Sequence, residues 1–360
     1  MRDVSIKDIA KIHYGKALKK DERVESGSVN VFGSNGIVGN HDDFLFQEPT
    51  VIIGRKGSVG KTIFTEENSW TIDTAFYSEI DKEQVDIKYF YYALTAKDME
   101  QYAITTSIPG INRNDIYDLK IPLPTLSEQK AIVAKLDRAQ RLIDIDREML
   151  AKYDELIQSV FLEMFGDPVR NEKGWERKPM QEIGEMKSGG TPSRKNKEYF
   201  TGDIDWYTTG ELETMYLGEA EEKITEAAIN ESSAKLFEKG SLLIGMYDTS
   251  AFKLGILTGS GSSNQASANI KLDPEICNVE WLYYCLKIMR PSILHERRGI
   301  RQKNLTLGFL KKLEIIIPPL EKQLQFSRSL NKISEEKKTT ESISKKSEEL
   351  FSSLVQGVFG

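Results

Sequence analysis

The chain has 360 residues, of which 39% are hydrophobic and 29% charged, and its formal net charge at pH 7 is −6. This composition excludes collagen-like, mucin-like and wholly disordered proteins, and the length predicts two or three domains. The apolar runs are too short to span a membrane, and the start of the chain lacks the apolar core of a signal peptide. We therefore expect a soluble, cytoplasmic protein whose binding to nucleic acid would depend on local basic patches.

The first third of the chain predicts a globule of short strands and helices. In chain order the predicted elements are an amphipathic run at residues 6–10, a strand at 51–54, an aromatic helix at 89–94, a Gly-Ile loop at 110–111 and a strand at 119–122. Residues 124–166 then predict one long helix, because this segment is rich in Glu, Lys, Leu and Ala and has no proline or glycine between its ends. At 1.5 Å per residue, such a helix would span roughly 58 Å.

The second part of the chain repeats this order. Residues 180–184, 242–245, 281–286, 299–300 and 313–318 correspond loosely to the elements of the first globule. The segment 318–360 aligns with the segment 124–166 without a gap, at a constant offset of 194 residues. Identical residues in the two segments include Gln129 and Gln323, and Gly166 and Gly360. A register kept over the whole segment indicates a shared structural role.

Apolar residues in the first long segment recur at spacings of three and four. They form the seam of a coiled coil with one polar break, at Asp146. We predict that the two helices pack antiparallel, with Asp146 near residues 337–340. The sequence thus predicts an α/β (α+β) protein of two tandem globules with small mixed sheets and helices, separated by an antiparallel coiled coil. Its predicted segments are residues 1–123, 124–166, 167–317 and 318–360.

Motifs of catalytic chemistry are absent from the sequence. Residues 54–62 (GRKGSVGKT) resemble a phosphate-binding loop, but Arg55 stands where that loop needs its first glycine, so a glycine-rich hairpin is the better interpretation. The three histidines are scattered, and Cys277 and Cys285 have no metal-like spacing. We therefore expect no catalytic residues, no metal and no cofactor.

Two segments are strongly basic although the net charge of the whole chain is negative. Residues 287–303 carry six basic residues and one acid, and residues 187–197 carry four basic residues and no acid. Such loops can contact phosphates and base edges, although solvated loops or hairpin turns are the alternative interpretation. The candidate DNA-binding residues on these and on thinner patches of the first globule are Asn35, Arg55, Lys56, Ser58, Lys61, Asn112, Arg113, Lys187, Thr191, Ser193, Arg194, Lys195, Arg297, Arg298, Arg301, Gln302 and Lys303.

The chain resembles the specificity subunit of a Type I restriction-modification system over essentially its whole length. The most specific motifs are the Pro-x-Leu-x-x-Gln starts of the two helices, at residues 124–129 and 318–323; residues 54–60, 206–211 and 264–266 also resemble segments of target recognition domains. The resemblance adds Tyr207 to the DNA-binding candidates. It implies that each globule is a target recognition domain that reads one half of a bipartite site in double-stranded DNA.

The resemblance also implies partners. The paired helices would separate the half-sites and dock two modification (methyltransferase) subunits, and the complex would include restriction (endonuclease and translocase) subunits. A non-catalytic coiled-coil scaffold that binds only proteins is the alternative. The candidate docking residues are Gln129, Leu136, Ile143, Leu150, Ile157, Gln323, Leu330, Leu350 and Leu354.

Overall fold

Both long helices contribute to each of two structural units. The computed structural model describes residues 2–104, 109–247, 250–297 and 305–360, leaving out the side chains of residues 296 and 297. The first unit comprises residues 1–148 and 340–360, and the second comprises residues 149–339. No helix in the described part of the chain is long and apolar enough to cross a membrane.

The first unit is built on a four-stranded antiparallel sheet beside a three-stranded mixed sheet. Its elements are β1 Arg2–Ser5, α1 Ile6–Ile9, β2 Ala10–Tyr14, β3 Val29–Gly33, β4 Gly36–His41, β5 Thr50–Gly54, β6 Thr62–Thr65, β7 Ser69–Thr71, β8 Ala75–Ile80, α2 Ile87–Thr95, α3 Arg113–Tyr117, β9 Lys120–Leu123 and the start of α4 Leu126–Phe165. The strand orders are β2-β8-β5-β6 and β4-β3-β7, and β1 pairs with β9. Tyr89 and Phe90 of α2 are fully buried against Val51 and Ile53 of β5.

The second unit has the same plan. Its elements are the end of α4, β10 Arg177–Pro179, β11 Gly184–Ser188, β12 Ile204–Tyr207, β13 Tyr216–Leu217, β14 Lys223–Ile224, α5 Glu226–Glu231, β15 Leu242–Gly245, β16 Leu254–Leu257, β17 Gly261–Ser263, β18 Ser267–Leu272, α6 Val279–Arg297, α7 Leu307–Lys312, β19 Glu314–Ile316 and the start of α8 Leu320–Phe359. The strand orders are β11-β18-β15-β16-β13 and β14-β12-β17, and β10 pairs with β19. The parallel pair β12 and β17 matches the parallel pair β3 and β7, so the predicted repeat of the globules is confirmed.

The long helices are antiparallel in both units, as predicted. In the second unit, Asp154 of α4 pairs with Lys337 of α8 at 2.8 Å, and further along α4 the ring of Phe161 meets that of Phe326 at 5.3 Å. In the first unit, Asp146 accepts a hydrogen bond from Ser347 at 2.9 Å. The predicted contact of Asp146 with residues 337–340 is therefore wrong by about two helical turns. The polar break of α4 thus faces a polar residue of α8, but one nearer the end of that helix.

Candidate nucleic-acid interface

The loop between β5 and β6 is a tight hairpin. The Gly54 amide donates to the Lys61 carbonyl at 2.8 Å, and the Gly60 amide donates to the Gly54 carbonyl at 2.8 Å. A Cβ at Gly54 would collide with the carbonyl oxygen of Ser58, and Gly57 and Gly60 have φ values of +79° and +73°, which favour glycine. A strand follows the loop, where a phosphate-binding loop would lead into a helix, so the predicted glycine-rich hairpin is confirmed.

Backbone hydrogen bonds join this hairpin to the loop before α3. The Gly57 amide donates to Pro109 at 2.9 Å, and the Ile111 amide donates to Arg55 at 3.0 Å. The Lys61 ammonium donates to the side chain of Asn35 at 2.7 Å, which connects the β3–β4 turn to the same hairpin. The structure thus brings the candidates of the first unit together at one end of the globule: Asn35, Arg55, Lys56, Ser58, Lys61, Asn112 and Arg113.

Tyr14, at the end of β2, lies between two of these candidates and was not predicted from the sequence. The residue is 49% exposed, and the guanidinium carbons of Arg55 and Arg113 lie 4.9 Å and 5.1 Å from its ring centroid. Arginine over an aromatic face is attracted by the ring quadrupole. The Arg55 guanidinium also donates to the Asp73 carbonyl at 3.1 Å. A strand-end tyrosine far in sequence from both arginines carries no signal that links it to them.

The second unit has an equivalent hairpin that sequence reasoning missed as a binding element. The Gly245 amide donates to Lys253 at 2.8 Å, and the Phe252 amide donates to Gly245 at 2.8 Å. The Leu305 amide donates to the Met246 carbonyl at 2.8 Å, which corresponds to the bond between Ile111 and Arg55. The chain has one residue more between Gly245 and Lys253 than between Gly54 and Lys61. A gapless alignment that starts at the two glycines therefore does not align the two lysines.

Two of the four basic residues in the patch at 187–197 pair with neighbouring acids. Lys187 pairs with Glu185 at 2.6 Å, and Arg194 forms two hydrogen bonds with Glu222, at 2.7 Å and 2.6 Å. These bonds lower the pKa of the Glu222 carboxyl. The Arg194 guanidinium also covers the Phe200 ring at 4.4 Å. Arg194 is therefore paired within the fold, but its side chain is 54% exposed, so it stays a candidate DNA-binding residue.

The remaining candidates of the second unit fall into three groups. Ser193 and Lys195 are exposed, and the Thr191 hydroxyl is hydrogen-bonded to Gln265. The prediction for Tyr207 is wrong, because its side chain is 3% exposed in the core and its hydroxyl donates to the Gly218 carbonyl at 2.7 Å. Burial raises the pKa of Tyr207 to about 12. The candidates that lie outside the described residues are Arg298, Arg301, Gln302, Lys303 and the side chain of Arg297.

The glutamines of the two helix starts have a structural role and are wrong as docking residues. Gln129 is 0% exposed; its Oε1 accepts from the Asp86 amide at 2.8 Å, and its Nε2 donates to the carbonyls of Gln84 and Pro124. Gln323 is equally buried, and its Oε1 accepts from the Asn278 amide at 2.9 Å. Asp86 caps α2 and Asn278 precedes α6, so each glutamine fastens a long helix to the aromatic helix of its own globule.

Most of the other predicted docking residues are also buried within the units. The side chains of Leu136, Ile143, Ile157 and Leu330 are almost fully buried, and all of them except Ile143 are part of the globular cores. These four are therefore wrong as contacts for another subunit. Leu150 and Leu354 are half-buried, and Leu350 is 52% exposed. In the first unit Leu142, Ile145 and Ile343 are exposed as well, and in the second unit Met149 and Leu156 are exposed.

Known proteins share both the sequence pattern and the fold of this chain. The family model for the Type I restriction modification DNA specificity domain matches residues 1–152 and 172–350. The chain is similar to the Type I restriction enzyme MjaIX specificity subunit of Methanocaldococcus jannaschii, with 34% identity over 191 residues. That match covers 50% of this chain and 43% of the relative, so it spans less than half of the relative's length.

Two solved structures have a similar fold over nearly the whole chain. One is the S subunit of a Type-I restriction-modification system from M. genitalium, with a TM-score of 0.60 and 17% sequence identity. The superposition covers 100% of this chain and 96% of that subunit. A structure from work on complex assembly and conformational transition of the type I R-M system has a TM-score of 0.62 at 15% identity, with coverages of 99% and 97%. With most of its length matched by the family model, the chain belongs to the family of the Type I restriction modification DNA specificity domain.

Proposed function

We propose that this protein is the specificity subunit of a Type I restriction-modification complex and that each globule binds one half of a bipartite site in duplex DNA. The observation that carries the proposal is the convergence of the loops in the first unit. Three loops far apart in sequence are fastened together by backbone and lysine hydrogen bonds, and they present Arg55, Lys56, Lys61 and Arg113 at one end of the globule.

The chemistry of these loops suits duplex DNA. Arginine and lysine contact phosphates, and arginine and asparagine can also hydrogen-bond base edges in the major groove. In the second unit, the corresponding candidates are the described residues 245–247 and 250–253 of the hairpin and the exposed Ser193 and Lys195. The basic residues at 297–303 stay candidates for this half-site from the sequence alone. For the functional domains we propose the boundaries predicted from the sequence. The target recognition domains would be residues 1–123 and 167–317, and the helical spacers would be residues 124–166 and 318–360.

We propose that the helices dock two modification subunits and that restriction subunits join the complex. Support comes from the exposed apolar side chains on the helices, since exposed apolar groups on a helix favour contact with a partner. In the first unit these side chains are Leu142, Ile145, Ile343 and Leu350. Catalysis and its cofactor would then belong to the partners, the chain itself would be non-catalytic, and the complex would act on DNA in the cytoplasm.

The test is purification of the chain with a co-expressed type I modification subunit, followed by mapping of methylated bases in the host DNA. A stable complex that methylates a bipartite motif is the expected result. A coiled-coil scaffold that binds only proteins is the second candidate, because the exposed apolar side chains alone are compatible with it. Salt-sensitive retention of the complex on duplex DNA distinguishes the two, since phosphate contacts weaken steeply as salt rises.

A further inference from the structure

Arg55 and Arg113 are the two arginines beside the Tyr14 ring. Among the described residues, neither guanidinium pairs with a carboxylate, and the Arg55 side chain makes one hydrogen bond, to the Asp73 carbonyl. The Arg113 Nε is buried without a hydrogen-bond partner. Arg194 of the second unit is the contrast: it also covers aromatic rings, but Glu222 takes up two of its donors. The arginines at Tyr14 therefore keep donors for a ligand.

Tyr14 restricts where these donors can lie. Both guanidinium carbons are about 5 Å from one ring centroid, so they are at most about 10 Å apart. Arg113 also lies 5.7 Å from the Tyr117 ring, and Arg55 lies 5.8 Å from the Phe76 ring. Each guanidinium thus lies within 6 Å of two ring centroids, and the Tyr14 and Phe76 rings beside Arg55 are themselves in contact at 5.0 Å. A side chain already held in place loses less conformational entropy when it binds.

We infer, on the basis of the function proposed above, that Tyr14 is a specificity-determining positioning residue that holds Arg55 and Arg113 as a pair to read base edges in one half-site. Contact with a phosphate needs charge and little orientation, and the exposed Lys56 and Lys61 supply that charge on the same loop. Two-point hydrogen bonding to a guanine edge needs a fixed guanidinium plane. Contact with the Tyr14 ring restricts how each guanidinium can turn. The Tyr14 hydroxyl makes no hydrogen bond of its own within the described structure.

The experiment selects binding sequences from a pool of random-sequence duplexes, with the full chain in complex with a co-expressed modification subunit. We expect Tyr14→Ala to relax one or two positions in one half-site only and to weaken binding to the wild-type motif roughly 3- to 30-fold. Arg55→Ala and Arg113→Ala should relax the same half-site, with losses of roughly 5- to 150-fold. Tyr14→Phe keeps the ring and should select the wild-type motif.

The control is Lys7→Ala, which removes one exposed positive charge in α1, the helix that precedes β2, and should leave the motif unchanged. Thermal unfolding checks that the Tyr14→Ala protein folds; if it does not, Arg55→Lys and Arg113→Lys, which keep charge but lose the planar fork, should relax the same positions. A motif unchanged in the Tyr14 and arginine variants, or an equal loss of affinity on all sequences, overturns the inference. A wild-type complex that selects no motif overturns the proposed function instead.

Discussion

The hydroxyl of Ser347 donates a hydrogen bond of 2.9 Å to the carboxylate of Asp146 inside the helix seam of the first unit. Asp146 is only 8% exposed, and Thr340 and Ser344 are buried polar residues on the facing helix. A buried polar contact of this kind stabilises less than an apolar one would, but it favours a single register of the two helices. Its loss should therefore be measurable.

We predict that Ser347→Ala lowers the free energy of unfolding by about 1–3 kcal/mol, because the Asp146 carboxylate then loses its hydrogen bond in a buried place. Urea denaturation of the purified chain measures the change. The matched control is Ser353→Ala, at an exposed position of the same helix, which should change stability by less than about 0.5 kcal/mol. Equal stabilities of the two variants would contradict the prediction.

Replacement of Gln129 or Gln323 by Ala should destabilise the unit that contains it by about 2–4 kcal/mol, because each side chain is buried and satisfies three backbone groups. Gln325→Ala, two residues further along α8 and exposed, is the control. Hydrogen exchange provides a local readout. The amides that donate to the glutamine side chains, at Asp86 and Asn278, should lose protection in the corresponding variant, and unchanged protection would refute the role we assign.

The substitution Gly54→Ala should disrupt the hairpin between β5 and β6, because the added methyl group would meet the Ser58 carbonyl. We expect weaker DNA binding together with a loss of stability above about 2 kcal/mol, the range of severe backbone strain. The control Gly218→Ala adds a methyl group where no atom lies within 4 Å. Binding by electrophoretic mobility shift and stability by thermal unfolding are measured on both. A Gly54→Ala protein that binds DNA like wild type would exclude a binding role for the hairpin.

The loss of folding stability at acid pH should become smaller when Glu222 is replaced by Gln. The hydrogen bonds from Arg194 lower the pKa of Glu222 below the ordinary value of 4.5. A lowered pKa in the folded state stabilises the fold above the unfolded-state pKa, and this contribution is lost as the pH falls through the folded-state pKa. The difference in unfolding free energy between pH 7 and pH 3 should therefore shrink in Glu222→Gln. Because the pair is partly exposed, the change should stay below about 1 kcal/mol; Glu226→Gln is the exposed control.

Leu350→Asp tests the proposed docking of modification subunits. Leu350 is 52% exposed on α8, so the charge should change the stability of the chain itself by less than about 0.5 kcal/mol. If a partner covers this side chain, the buried charge should abolish copurification of the modification subunit. Ser353→Asp places the same charge three residues further along the helix and serves as the control. Full recovery of the partner with Leu350→Asp would exclude this part of the helix from the interface.

The helices and the order of elements could be predicted because their signals are local. Periodic apolar residues and the absence of internal proline define α4 and α8, and residues 51–54 are a buried strand as expected. Contacts between distant residues could not be predicted. The partner of Asp146 on the facing helix is Ser347, which the apolar spacing alone does not indicate, and the burial of Tyr207 accompanies the pairing of β12 with β17. Identical glutamines indicated a shared role at the helix starts, but the carbonyls that they satisfy become visible only in three dimensions.

The hydrogen bonds between Ile111 and Arg55 and between Leu305 and Met246 use main-chain atoms alone. Because the hairpin and the neighbouring loop are joined through their main chains, the side chains that they expose can be replaced without loss of these bonds. Residues such as Arg55, Lys56 and Asn112 can therefore be randomised in a library while the hairpin stays closed. On the function proposed above, the same property would let selection change the sequence that a globule reads through single substitutions, without an intermediate that must refold.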